Sequence, residues 1–236
     1  MTTWTAPYID NCRDYLADVY INKFASVKYR PFLRQVRETV PLLEICLQSP
    51  ESIYRSTIVA DQHAWVVSRA TDRYPVIATY ALNACIGLVL YQPSKRVAAL
   101  AHIDGLPGYS LVSARADGQE IDFDPAKRTV CNMLNRMQYL CDERQYDAYL
   151  IGGIYGLSEV MIHDLMGVLR LYGVTVQGRN LLGPDNQSRN ICFDTRTGAF
   201  THFDYLTNDS RCLITKCNIP KAVRASEAEL DLTYAP

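Results

Sequence analysis

Neither sign of charge dominates this 236-residue sequence, in which 24 Lys+Arg face 25 Asp+Glu for a formal net charge of −1. Without a basic excess or a polybasic run, the electrostatic drive toward nucleic acid or an anionic membrane surface is missing, and neither partner is expected. C-x-x-C pairs are lacking, as is H-E-x-x-H; the tightest cysteine spacing is Cys212-x4-Cys217, so zinc is not expected. Gly152-Gly153-Ile154-Tyr155-Gly156 has neither the Lys-Ser/Thr pair of a phosphate loop nor dinucleotide spacing. No cofactor is implied. Met1-Thr2-Thr3-Trp4 lacks the basic start and apolar run of a signal peptide, which sets the expectation of a cytoplasmic protein. Delivery into a host or target cell would then need a specialised secretion system. The eight cysteines, Cys12, Cys46, Cys85, Cys131, Cys141, Cys192, Cys212 and Cys217, are scattered, and reduced, mostly core thiols are expected.

What is present is ordinary globular composition, 48% hydrophobic and 21% charged, in a chain long enough to bury a real core. Tyr74 to Ser94 carries no charge and is long enough to span a bilayer. Its Pro75, Asn83, Gln92 and Pro93, with many β-branched and aromatic neighbours, read instead as two buried strands.

From Pro7 to about Ser49 the pattern is helical, with Tyr8, Cys12, Tyr15, Leu16, Val19 and Tyr20 at three-to-four spacing. A second helix is predicted from Pro31, and Pro41 should kink or split its continuation. After Pro50-Glu51 the character changes to short apolar runs. Ala64–Val67, Val76–Tyr80, Ile86–Tyr91 and Val97–Ile103 read as strands. Asp124 as cap and Pro125 in the first turn open a helix whose apolar side is Val130, Met133, Leu134, Met137 and Leu140. Tyr149–Ile151 is a buried strand, Ser158–Tyr172 a helix stopped by Gly173, Thr175–Gln177 a strand, and Asn190–Phe193 turns through Asp194–Gly198 into Ala199–Tyr205. The order predicts an α+β fold, a layered β-sheet core covered by helices. Three regions are expected: a helical N-terminal extension over 1–58, an α+β catalytic domain over 59–217 and a surface tail over 218–236.

The residues that carry chemistry are Cys85 and His102. If the loop between their strands is centred between Pro93 and Ser94, paired residue numbers sum to 187 and Cys85 lies opposite His102. Directly opposite residues place their Cβ atoms about 4.5–5.5 Å apart, within reach of a thiol–imidazole contact. An imidazole beside a thiol favours the thiolate and can later protonate a leaving group, the minimum for amide chemistry. A third group that orients the imidazole would be Asp104, Thr79 or a backbone carbonyl, although Asp104 has the wrong parity for the His102 face. His63, His163 and His202 read as surface or satisfied core residues, and Met133 and Met137 as packing.

Thr79-Tyr80-Ala81-Leu82-Asn83-Ala84-Cys85-Ile86-Gly87-Leu88-Val89-Leu90-Tyr91, followed by Val97-Ala98-Ala99-Leu100-Ala101-His102, resembles the family that joins the bacterial chemoreceptor glutamine deamidases, the catalytic domain of cytotoxic necrotizing factor and the protein N-terminal asparagine amidohydrolases. In the chemoreceptor deamidases a Thr, a Cys six residues on and a His seventeen further form the catalytic set, and Thr79, Cys85 and His102 have those spacings. Leu150-Ile151-Gly152-Gly153 resembles the glycine pair beside that family's active site, and Gly183 to Phe200 its closing hairpin. His102-Ile103-Asp104-Gly105-Leu106-Pro107 has one residue more than the chemoreceptor form and is closer to the asparagine amidohydrolases. The helix Leu157–Tyr172 lacks the family's Gly-Asp start, and the first sixty residues match nothing in the short chemoreceptor enzymes.

The resemblance implies a cysteine-dependent protein deamidase: Cys85 attacks a Gln or Asn side-chain amide of a protein substrate, His102 assists ammonia loss, Thr79 orients through its hydroxyl, and water hydrolyses the thioester. Substrate-binding positions would be Asn83, Ala84, Asp104, Gly105, Gly152 and Gly153, with backbone N–H groups near Asn83 to Cys85 as oxyanion donors. The same site accommodates an N-terminal asparagine amidohydrolase or, with an amine as acceptor, a transglutaminase. A Cys-His peptidase and an inactive binding protein of the same fold are the competing classes.

Overall fold

Two successive apolar runs with no alternation of polar residues fit strands covered on both faces, and that is where Ile86–Gln92 and Val97–Ile103 lie. A computed structural model of the protein describes residues 29–46, 56–103, 125–142, 145–182 and 188–203. In chain order its strands are β1 (Thr57–Val59), β2 (Trp65–Arg69), β3 (Val76–Leu82), β4 (Ile86–Gln92), β5 (Val97–Ile103), β6 (Asp147–Gly152), β7 (Thr175–Leu181), β8 (Arg189–Asp194) and β9 (Ala199–His202). The helices are α1 over 29–39, α2 (Pro125–Leu140) and α3 (Glu159–Leu171). The strands form a four-stranded sheet, β1-β3-β8-β9, and a five-stranded sheet, β2-β5-β4-β6-β7. This is the layered α+β architecture expected.

The five-stranded sheet is the middle layer. Ile86, Leu88 and Leu90 of β4, with Val97, Ala99 and Ala101 of β5, pack with Leu33 of α1, Met133 and Met137 of α2 and Leu165 of α3. Their alternates, Val89, Tyr91, Ala98 and Leu100, pack with Ile58, Ile77, Leu82, Ile191, Phe193 and Phe200 of the other sheet. Period-two alternation therefore persists in these strands, but both faces are apolar. The inter-sheet core holds an aromatic cluster: Tyr91 meets Phe193 with ring centroids 4.9 Å apart, Phe193 meets Phe200 at 4.7 Å and Phe200 meets Tyr149 at 5.1 Å. Met133 and Met137 are fully buried, as packing residues should be.

Several expectations are corrected. The helical reading up to residue 49 ends at Pro41: α1 stops at residue 39, and 41–46 run extended. Leu43 N–H donates to Arg179 O, Cys46 N–H to Phe200 O and His202 N–H to Cys46 O, so this segment straps the edge strand β7 of one sheet to the edge strand β9 of the other. Such pairing is set by tertiary neighbours and has no local signature. β1 has only three residues and was not predicted; it runs across the expected 58/59 boundary and pairs in parallel with β3. The β4–β5 hairpin pairs Gly87 with His102 and Gln92 with Val97, so paired numbers sum to 189, not 187. Its loop is the four residues Pro93 to Arg96, with Arg96 at φ 52. The loop's centre lies one residue later than expected, and Gln92 stabilises it by accepting Lys95 N–H at 2.7 Å. The helix at Pro7–Tyr20, the Asp124 cap and the 218–236 tail lie outside the described residues.

Gly173 ends the helical region as expected, at φ 69 with its N–H on Arg170 O. Gly198, at φ 74, closes the β8–β9 turn with its N–H on Asp194 O. No helix among the described residues is long and apolar enough to cross a membrane.

Phe193 is fully buried and touches three aromatic rings of the inter-sheet core. Phe193→Ala is expected to cost about 3–5 kcal/mol, measured as a lower midpoint at unchanged slope in denaturant unfolding.

Candidate active site

Two connections switch sheets at the same end of the sandwich. Residues 60–64 lead from β1 to β2, and Asn83–Cys85 lead from β3 to β4. Residues near that end of the strands include Thr79 of β3, His102 of β5 and Gly152 of β6. His102 points between the sheets, on the same face as Ala98 and Leu100 by strand parity. Thr79 faces it from the other sheet, sharing the parity of Ile77. The two meet: Thr79 Oγ1 lies 2.8 Å from His102 Nδ1, and both side chains are buried.

The direction of that hydrogen bond can be worked out. Thr79 Oγ1 also lies 2.8 Å from the carbonyl of Ala60, which can only accept. The single hydroxyl proton therefore goes to Ala60, and Nδ1–H of His102 donates to Thr79 Oγ1. The neutral imidazole then carries its lone pair on Nε2, which is buried. Thr79 is thus the orienting group among the alternatives; Asp104 and Gly105 lie outside the described residues.

Cys85 occupies the bend before β4, half-buried and in the reduced form. It is not opposite His102, as a loop centred between Pro93 and Ser94 required: Cys85 lies two residues before Gly87, the partner of His102, and just outside β4. Its side chain packs against the inter-sheet cluster of Ala98 and Leu100, the face on which His102 lies. The turn 61–64 gathers all three residues. Ala60 O holds Thr79, His63 N–H donates to His102 O at 3.1 Å, and Gln62 Nε2 lies 4.0 Å from Cys85 Sγ.

The backbone around Cys85 is built for that bend. Between Thr79↔Ile191 and Leu82↔Arg189 the register slips by one residue, a bulge with Ala81 at φ 56. Asn190 Oδ1 accepts Ala81 N–H at 2.8 Å and holds the bulge. Gly153 N–H donates to Cys85 O at 3.0 Å, and a Cβ on Gly152, at φ 108, would stand 2.3 Å from that same oxygen. Ser158 sits at the α3 N-cap but makes no cap hydrogen bond. Its hydroxyl donates to Ala84 O at 2.8 Å and accepts Ile154 N–H.

Gly152 and Gly153, expected beside the substrate, are buried and lie against the backbone of Cys85. Asn83 and Ala84 remain partly exposed beside the thiol, and no backbone hydrogen bond among the described residues uses their N–H groups. The half-buried Arg189 bonds Asn180 Oδ1 at 2.9 Å and reaches Gly153 O at 3.5 Å. Burial pulls its guanidinium below the ordinary arginine range.

Gln62, Ser158 and Asn190 were missed. The polar break Asp61-Gln62-His63 before an apolar strand was the available signal for a turn, but nothing local aims it. Among the described residues no group of three His, Cys, Asp or Glu could hold a metal ion. His163 packs against Tyr29 and Phe32 of α1. A groove of about 950 Å³ lies between α1 and the 155–159 segment, lined by Arg30, Arg34, Arg37 and Tyr155. It shares with the site only the loop that follows Gly153.

The sequence is 46% identical over 242 residues to Uncharacterized protein R721 of Acanthamoeba polyphaga mimivirus, covering 97% of this chain and 90% of that protein. The chain belongs to that protein's family. No family model matches it. Because the alignment spans 97% of the chain, the N-terminal region that supplies α1 and the strap is common to both proteins.

Thr79→Val would leave Ala60 O and His102 Nδ1 without their shared partner in a buried position, at an expected cost of about 1–3 kcal/mol. Thr79→Ser should recover most of it in the same unfolding measurement. Gly152→Ala would force a methyl onto Cys85 O; a loss of roughly 1–3 kcal/mol is expected. A changed alkylation rate at Cys85, measured by peptide mapping, should accompany it.

Proposed function

We propose that this protein is a cysteine-dependent protein deamidase that hydrolyses the side-chain amide of Gln, or of Asn, in a protein substrate. The observation that carries the reading is the Thr79–His102 hydrogen bond, which orients the imidazole and leaves Nε2 as the base at the end of the sandwich where Cys85 is held. A nucleophile, a base and an orienting hydroxyl at the spacings of the chemoreceptor deamidases support it further.

In the first step His102 Nε2 takes the Cys85 thiol proton and Sγ bonds to the carboxamide carbon, placing negative charge on the amide oxygen. The N–H groups of Asn83 and Ala84 supply donors for that oxygen. Collapse of the tetrahedral intermediate breaks the C–N bond, and the imidazolium gives its proton to the departing ammonia. Water, deprotonated by the same Nε2, then opens the thioester to yield Glu or Asp and restore the thiol. The half-exposed position of Cys85 suits an amide presented on the surface of another protein.

The test is proteomic. A protein lysate is treated with wild type or Cys85→Ala, and Gln→Glu and Asn→Asp conversions are scored together with new chain termini. Conversions made only by wild type are expected, with His102→Ala slower by about 10²–10⁴. Conversions that persist with Cys85→Ala, or new termini without conversions, would sink the proposal.

A further inference from the structure

The turn Asp61-Gln62-His63-Ala64 carries strain. Ala64 N–H bonds Asp61 O at 3.0 Å, which makes it a β-turn, and its third residue, His63, has φ 66. Gln62 is absent from the positive-φ residues, so this is the type II arrangement, in which glycine is the favoured third residue. A histidine held there costs on the order of 1 kcal/mol or more, and it persists only where its surroundings fix it. They do. Tyr80 OH donates to Asp61 Oδ1 at 2.7 Å, Ala60 N–H to Ala78 O at 2.8 Å, His63 N–H to His102 O at 3.1 Å and His102 N–H to Ala64 O at 3.0 Å. The residue at the tip of this fastened turn is Gln62, whose amide nitrogen lies 4.0 Å from Cys85 Sγ.

We propose that Gln62 is a catalytic residue, its side-chain N–H donating to the oxyanion formed when Cys85 attacks a carbonyl. The proposal deepens the reading of Cys85 as the nucleophile and rests on it. Distance is the argument. At 4.0 Å the amide is a weak partner for the thiol itself. The oxygen of a carbonyl under attack sits one C–S and one C–O bond from the sulfur. A donor that meets this oxygen at about 2.7–3.1 Å therefore stands roughly 4 Å from the sulfur. Gln62 already occupies that shell before any substrate binds. Its backbone is tied on both sides, so the exposed side-chain amide extends toward the sulfur from a fixed anchor. Gln62 is the side-chain complement to the backbone N–H groups of Asn83 and Ala84, and it reaches the thiol from the opposite sheet crossover.

An oxyanion donor can be separated from a residue that merely tunes the thiol, without knowledge of the substrate. p-Nitrophenyl acetate acylates a thiolate through a tetrahedral oxyanion: the S–C bond forms, p-nitrophenolate leaves and S-acetyl Cys85 remains. Iodoacetamide alkylates the same sulfur by direct displacement of iodide, with no oxyanion. Both rates at Cys85 are read by peptide mapping of wild type, Gln62→Ala and Gln62→Glu. Gln62→Ala is expected to slow acetylation at least 10-fold, toward the roughly 10²–10³ typical of a lost oxyanion donor. Gln62→Glu, which puts a negative charge in the donor's place, should be slower still, and because that charge also disfavours the thiolate it should slow alkylation too; in Gln62→Ala alkylation should stay within about twofold. Unchanged acetylation in both variants, or acetylation and alkylation falling in parallel in Gln62→Ala, overturns the role of Gln62 and leaves Cys85 as nucleophile. Wild-type Cys85 acetylated no faster than the exposed Cys46 overturns the nucleophile itself, and the role of Gln62 with it.

Discussion

The candidate site depends on one contact between layers, the hydrogen bond from His102 on the five-stranded sheet to Thr79 on the four-stranded one. It needs the two sheets at a fixed separation and a fixed register, and the core supplies both. Tyr91, Tyr149, Phe193 and Phe200 set the spacing of the layers, since aromatic rings in edge-to-face contact resist compression and sliding alike. The 41–46 strap pins the two sheets along their β7 and β9 edges. Close packing transmits such constraints because interiors have few voids to absorb a shift. A displacement of either sheet would first be felt at the bond that fixes which imidazole nitrogen is the base.

Several departures from regular backbone lie at the same end of the molecule as Cys85. Ala81 and His63 adopt positive φ without being glycine, Gly152 and Gly153 do so as glycines, and Ser158 gives up its helix cap to bond Ala84. Each is unfavourable alone. Each is also held by neighbours that the rest of the sandwich places: Asn190 for Ala81, His102 O for His63 and Cys85 O for Gly153. Regular, apolar strands elsewhere supply the stability against which such local strain can persist.

Much of this was legible in the sequence, and for identifiable reasons. Val97–Ile103 was read to the residue because a charged turn precedes it and all its residues but His102 are apolar. The pairing of β4 with β5 was also right, and an error of two in the register sum leaves the faces of both strands unchanged. The turn was misplaced by one residue: Gln92 belongs to the strand and satisfies Lys95 N–H, and the loop is Pro93 to Arg96, a shift that no Gly signals. The three residues of β1 and the extended 41–46 segment owe their conformation to partners far along the chain, Val76–Ala78 in one case and Arg179 and Phe200 in the other. Local propensity contains nothing of that. Thr79 was one of three orienting groups that the residues left open and the one the family resemblance favoured, whereas Gln62 was not legible at all, since its aim toward Cys85 comes from a turn fastened by Tyr80 and His102.

Position also explains why one thiol among many would carry the chemistry. Cys141 donates to Met137 O inside the core, and burial pushes the Cys192 thiol up, which disfavours its thiolate. Cys131 shares a 2.8 Å hydrogen bond with Tyr172 OH, and this contact raises the phenol's own pKa. Cys46 is exposed but lies in the strap, where its N–H and carbonyl are engaged with Phe200 and His202. Cys85 differs in being half-exposed, in packing against the inter-sheet core that the oriented His102 faces, and in having the Gln62 amide 4.0 Å from its sulfur. A thiol becomes a nucleophile through its surroundings, and here those surroundings come from two connections that cross between the sheets at one end of a single sandwich.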